Sequence, residues 1–234
     1  RFIAVDIILA IRTISFLVVG IFINQLVTQL RRQAVRDSLT GLFNRHYMNE
    51  FLGQVLARAA RDKTDVALVM IDIDCFKRLN DAYGHLAGDV VLRSVGRLLE
   101  KHTRQGDIAC RFGGEEFLLV LPGAKLADAF RRADDLRVLL EQADFRHTDR
   151  PLKVTCSAGV AVFPEHGATA EIVLKAADDA LYAAKQAGRN RVLCASVGKP
   201  SALPAATPAA LPSLPDALAG QGETAAPPPG CGPA

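Results

Sequence analysis

Two consecutive glycines, Gly113 and Gly114, separate two short apolar runs, Ile108–Phe112 and Glu116–Leu121. Glycine readily takes the positive φ that a tight reversal needs, so the pair predicts a β-hairpin and an antiparallel component in whatever sheet the chain builds. Around this hairpin the apolar pattern alternates between helical and strand periods. Helices are expected at Arg45–Arg61, Ala87–His102, Leu126–Ala143 and Glu171–Ala187, and strands at Val66–Asp74, Val154–Phe163 and Arg191–Cys194. The expected class is α+β, a central mixed β-sheet flanked by helices, over residues 37–195.

The flanks differ in composition. Thr13 to Leu30 is a run of 18 residues without a charge, rich in Ile, Phe, Leu and Val, and Arg31, Arg32 and Arg36 come directly after it. Residues 1–36 therefore read as a membrane-spanning helix or a signalling helix that pairs with its twin, running into a coiled-coil connector. By the positive-inside rule the arginines are expected to leave the rest of the chain on the cytoplasmic side, with this helix as a membrane anchor. The chain starts at Arg1, which suggests a piece of a longer protein. Nine of the twelve prolines fall between Pro200 and Pro233, so residues 196–234 are expected to form a disordered tail.

Half the chain is apolar and its formal net charge is +3, too small and too evenly mixed to argue for a nucleic-acid groove; no nucleic-acid partner is expected. The five cysteines are never closer than 35 residues, which excludes CxxC redox pairs and the ligand spacing of structural zinc sites.

Two acidic pairs carry the candidate chemistry. The run Val66–Asp74 stays apolar until Asp72 and Asp74, which share one face of a strand by its two-residue period. They are either a polar strand end or ligands of a hard cation, since magnesium binds through one or two carboxylates plus substrate phosphates. Glu115 and Glu116 come directly after the glycine pair. If the hairpin neighbours Val66–Asp74, carboxylates converge at one sheet edge, an arrangement that costs energy unless divalent metal neutralises it and that suits phosphoryl or nucleotidyl transfer. Lys77, Lys185 and Arg189 are either solvated surface or phosphate-binding groups.

Five motifs occur in order: Asp37-Ser-Leu-Thr-Gly-Leu-Phe-Asn-Arg45, Ile71-Asp-Ile-Asp-Cys-Phe-Lys77 with Asn80-Asp81, Arg111-Phe-Gly-Gly-Glu-Glu-Phe117, Ser157-Ala-Gly-Val-Ala161, and Ala177 to Asn190. Together they resemble the GGDEF domain, the diguanylate cyclase family. The resemblance implies a fold related to nucleotidyl cyclases and polymerase palms, and condensation of two GTP into cyclic di-GMP with release of two pyrophosphates. It implies two magnesium ions per GTP site, with manganese as an alternative, held by Asp72, Glu115 and the Ile73 carbonyl. Glu116 would bind metal or help deprotonate the attacking 3′-hydroxyl.

By the same resemblance Asn80 and Asp89 read guanine, Lys77, Lys185 and Arg189 hold phosphates, and Asp37, Asn44 and Arg45 lie where the incoming helix joins the domain. Asp37 and Asn44 also suit helix-start capping. Arg104-Gln-Gly-Asp107 matches the RxxD site at which the family binds its own product as an inhibitor. A second arginine is expected there, and Arg131, Arg132 and Arg137 all qualify. One domain should hold one GTP, so a homodimer is implied. The alternative is a non-catalytic module that senses cyclic di-GMP or GTP.

Overall fold

The computed structural model describes residues 12, 15–23, 35–148 and 150–196. The central sheet has six strands: β1 Phe43–Asn44, β2 Val66–Ile73, β3 Ile108–Arg111, β4 Glu116–Pro122, β7 Cys156–Phe163 and β8 Val192–Cys194, in the order β1-β3-β4-β2-β7-β8. β2 is antiparallel to β4 and β7, whereas β1 with β3 and β7 with β8 are parallel. The class is the expected one, a mixed sheet between helices.

All eight residues of β2 are buried, as its position between β4 and β7 requires, and by its alternation the strand feeds both faces of the sheet. On one face Val69, Ile71, Leu119 and Val160 pack with Val91, Leu92 and Val95 of α3 (His85–His102) and Ala133 and Leu140 of α4 (Leu126–Gln142). On the other, Leu68, Met70, Leu118 and Val120 meet Met48, Leu52 and Leu56 of α1 (Arg45–Asp62) and Val173, Ala177 and Leu181 of α5 (Ala170–Gln186). Each such side chain fully buried contributes about 2 kcal/mol, which anchors both helical layers to the sheet edge where the acidic residues stand.

Three elements depart from the sequence expectation. Helix α2, Phe76–Tyr83, had no counterpart in the apolar pattern. It starts after Cys75, at φ 56°, and stops at Gly84, at φ 82°, which breaks it from α3. A non-glycine residue in the left-handed region costs about 1 kcal/mol, so the turn at Cys75 is held by what surrounds it. Strands β5 (Phe145–His147) and β6 (Arg150–Leu152) form a separate small hairpin that the sequence pattern does not announce.

The third departure is at the glycine pair. The hairpin is present, with β3 antiparallel to β4, but neither Gly113 nor Gly114 has a positive φ. A Cβ on Gly113 would collide with the Glu116 carboxylate, so glycine is required there by crowding rather than by backbone conformation.

Among the described residues no helix is long and apolar enough to cross a membrane. Residues 15–23 are helical, and Phe16, Leu17, Val18, Val19, Ile21, Phe22 and Ile23 are each more than half exposed. The rest of the expected span and connector lies largely outside the described residues, as does the proline-rich tail beyond Ser196.

Candidate active site

Register brings the acidic residues together: Asp72 at the end of β2 is the cross-strand partner of Glu116 on β4 and of Ser157 on β7. Opposed residues in an antiparallel pair point to the same face, so Asp72 and Glu116 share the α1 and α5 side of the sheet. Asp72 is buried and its Oδ2 accepts a 2.8 Å hydrogen bond from the Lys185 ammonium at the end of α5. Burial pushes its carboxyl above the ordinary carboxylate range; Lys185 offsets part of this, and Glu116 and Asp74 add to it.

Among the described residues Glu115 makes no ion pair. Burial raises its carboxyl, Asp72 and Glu116 raise it further, and Lys185 opposes them. The unfolded chain carries this charge more cheaply than the folded one, so the stabilisation is whole below about pH 4 and is lost as pH rises through the folded pKa. Glu115→Gln is therefore expected to raise the thermal midpoint in metal-free buffer at pH 7 by about 2 °C and to give no gain at about pH 3.5. Melts of both proteins across that range check it.

Asp74 acts on this group through its charge, but its own oxygens are engaged elsewhere. Its carboxylate accepts from Thr155 Oγ1 at 2.8 Å, Ser157 Oγ at 2.7 Å and the Asn190 backbone N–H at 3.0 Å. Those bonds tie the end of β2 to β7 and to the turn after α5. The sequence reading of Asp72 and Asp74 as one strand-end pair is corrected accordingly: β2 stops at Ile73. Among the described residues no three His, Cys, Asp or Glu side chains are already gathered to hold a metal ion. The donors nevertheless suit a hard divalent cation, because Asp72 and Glu115 are carboxylates whose charge the protein itself leaves poorly compensated.

On the other face Lys77, Asn80, Asp89 and Glu115 line one cavity of about 460 Å³ with Phe76 and Leu92. Its walls come from α2 and α3, which explains why α2 matters to the site. Asn80 Oδ1 is buried and has no hydrogen-bond partner, and a Cβ on Gly88 would strike it. A buried acceptor left open at a cavity is a position for a ligand donor. Asp89, the other expected base-reading residue, stands 4.0 Å from Arg93.

Lys185 lies on Asp72 instead of standing free for a phosphate. Arg189 occupies a left-handed turn at φ 62° beyond α5, and it is not among the residues lining the cavity.

Arg111, which the sequence reading left without a role of its own, links the hairpin to the start of the domain at Asp37. It pairs with both oxygens of Asp37 at 3.2 Å and donates to the Gly114 carbonyl at 2.8 Å. Burial works against the charge on Asp37, but the Thr40 hydroxyl and N–H together with Arg111 hold its carboxyl below the usual range. Asn44 caps α1 by accepting from the Tyr47 N–H at 2.9 Å.

Away from the site, Arg104 donates its backbone N–H to Asp107 at 2.7 Å, and Asp107 is ion-paired with Arg132 of α4. Arg131 is paired with Asp128, and Arg137 with Asp134 and Glu141. Of the three arginines left open by the sequence, Arg132 is the one on the Arg104–Asp107 turn. Cys110 and Cys156 are buried, and burial pushes both thiols up to about 12, as expected for packing residues.

The family model for the diguanylate cyclase GGDEF domain matches residues 34–191, a stretch that takes in the sheet from β1 to β7, the Asn80 cavity and the acidic edge. The chain belongs to the GGDEF family. It is 46% identical over 162 residues to the diguanylate cyclase DgcP of Pseudomonas aeruginosa, a match covering 69% of this chain and 24% of that protein. It is 43% identical over 162 residues to the response regulator PleD of Caulobacter vibrioides, covering 68% of this chain and 36% of PleD. The chain thus spans only a quarter to about a third of the length of these relatives. Among solved structures it is similar to the coiled coil and GGDEF domain of DgcB from Caulobacter crescentus in complex with c-di-GMP. There the TM-score is 0.74 at 30% identity, with 80% of this chain and 99% of that one covered.

Proposed function

We propose that this GGDEF domain is a diguanylate cyclase that joins two GTP molecules into cyclic di-GMP, working as a homodimer in which each domain holds one GTP. The observation that carries the reading is the open Asn80 acceptor in a cavity shared with Asp89, Lys77 and Glu115. Guanine presents an N–H edge to which a carboxylate and an amide oxygen can both answer, while an adenine in the same place turns a bare ring nitrogen toward Asp89. Lys77, on the first turn of α2, is positioned for the phosphates of a base so held, with Lys185 and Arg189 toward the terminal phosphate.

Magnesium or manganese ions, two per GTP, held by Asp72, Glu115, Glu116 and the Ile73 carbonyl, would polarise the α-phosphate and stabilise the attacking and leaving oxygens. Glu116 takes the proton of the attacking 3′-hydroxyl as that oxygen bonds to the α-phosphorus of the second GTP. The bond from that phosphorus to the bridging oxygen breaks, and pyrophosphate leaves. The reciprocal attack closes the ring and releases the second pyrophosphate. Because two domains must face each other for this, residues 13–36 act as the element that sets their distance. The exposed apolar side chains at 16–23 support a helix that pairs with its twin or anchors the cytoplasmic domain to the inner membrane.

The test is incubation of the chain with GTP and magnesium, reading cyclic di-GMP and pyrophosphate. Product is expected, with Asn80→Ala raising KM for GTP by about thirtyfold. Absence of product, with cyclic di-GMP still bound, would move the domain to the class of sensors.

Product inhibition is proposed at Arg104, Asp107 and Arg132, with the arginines gripping the phosphates of cyclic di-GMP. Arg104→Ala is expected to leave the initial rate unchanged and to raise the half-inhibiting product concentration by about tenfold or more. Unaltered inhibition in that variant would place the inhibitory site elsewhere.

A further inference from the structure

Glu115, in the bend before β4, and Glu116, the first residue of β4, line different cavities. Glu115 lines the 460 Å³ cavity beside Asn80. Glu116 lines a second cavity of about 350 Å³ on the α1 and α5 side, with Arg45, Phe112, Lys175 and Asp178 in its walls. The guanine-reading groups all belong to the first cavity, and neither Arg45 nor Lys175 reaches it.

The charges in the second cavity are unequally engaged. Lys175 donates to Asp179 at 2.9 Å. The Arg45 guanidinium lies over the Phe112 ring, 4.8 Å from its centroid, and makes no ion pair among the described residues. A ring face fixes the direction of a guanidinium without neutralising it. Arg45 is thus a cation at a cavity whose lining also holds the carboxylates of Glu116, Glu171 and Asp178. An anion beside a hydroxyl-bearing group fits that set: phosphate on Arg45, hydroxyl donors on the carboxylates. The volume is too small for a whole second nucleotide, so the rest of the molecule must be held elsewhere.

We propose that this cavity takes the ribose-phosphate of the GTP held by a second copy of the domain, with Arg45 on its phosphate and Glu116 on its 3′-hydroxyl. The assignment rests on the cyclase reading above and adds the place where the partner's nucleotide crosses over. Arg45 then binds GTP only across the dimer, and the domain's own GTP does not touch it.

The test is sedimentation velocity of the full chain with and without α,β-methylene-GTP and magnesium, together with calorimetric titration of the same analogue. The analogue is expected to raise the sedimentation coefficient, whether by pairing chains or by closing an existing pair. Arg45→Ala is expected to weaken that response by about tenfold while each chain's affinity for the analogue stays within about twofold. Arg45→Lys, which keeps the charge, is expected to recover part of the response. An analogue response that is absent from the parent chain, or undiminished in Arg45→Ala, overturns the assignment. So does an analogue affinity that falls in step with the response in both variants, which would give Arg45 to the domain's own nucleotide or its folding. A chain that makes no cyclic di-GMP but still answers the analogue through Arg45 sinks the cyclase reading and leaves this cavity assigned.

Discussion

Asp72→Asn is expected to lower the rate of cyclic di-GMP formation at saturating GTP by roughly a thousandfold, with GTP affinity within about threefold of the parent. The separation comes from where the residue sits. Asp72 is buried at the end of β2 and does not line the cavity that holds Asn80 and Asp89, so binding there is expected to change little. Asparagine fills the same volume, which keeps the packing against β7. What disappears is one negative oxygen donor at the place where a divalent cation would meet the α-phosphate. Lys185 also loses its counter-charge, and its freed ammonium adds repulsion toward any cation beside Glu115 and Glu116. Steady-state kinetics with analogue titration decide the matter: affinity falling as far as the rate would make Asp72 a support of the nucleotide cavity instead of a metal ligand.

Much of this site was legible because it is written in short-range pattern. The six-residue apolar run Val66–Ile71 that leads into Asp72 reads as a strand, and the glycine pair set the hairpin that carries Glu115 and Glu116. Their pairing with Asp72 came once β4 neighboured β2. What did not show in the sequence is set by partners far along the chain. Asp74 looked equal to Asp72 until Thr155, Ser157 and Asn190 claimed its oxygens. The Lys185–Asp72 pair did not show either, because nothing local said that α5 ends over Asp72. Helix α2 was missed because it is only eight residues long, half of them polar, and begins after a strained Cys75. The signal that would have found it is the spacing of Phe76, Leu79 and Tyr83 at helical intervals before Gly84. That Glu115 and Glu116 line different cavities was not legible either, because Glu115 lies in the bend before β4 where strand alternation does not apply.

Gly159→Ala is expected to destabilise the domain by about 3 kcal/mol or more, the largest stability effect of any single methyl group in this fold. Gly159 lies in the middle of β7, paired with Met70 on one side and Leu193 on the other. Helix α5 crosses directly above it. An added Cβ would run into the Ala177 carbonyl oxygen and the Leu181 amide nitrogen, and it would stand 2.9 Å from the Ala180 carbonyl carbon. These are backbone atoms, so no rotamer change can relieve the contact, and either α5 lifts or β7 sinks. Against a total stability of about 5–15 kcal/mol such a loss leaves the protein marginal at best. The consequence reaches the chemistry, because the same close approach sets the end of α5 over β2 and holds Lys185 on Asp72. At a temperature where the variant remains folded, it is therefore expected to lose turnover beyond its loss of folded fraction, with guanine binding on the far face less affected. Denaturant titration combined with analogue binding and product assays on one preparation tests both halves. A variant with a parental unfolding midpoint would show that α5 does not seat on Gly159 in solution, and the link from the sheet to Lys185 would fall with it.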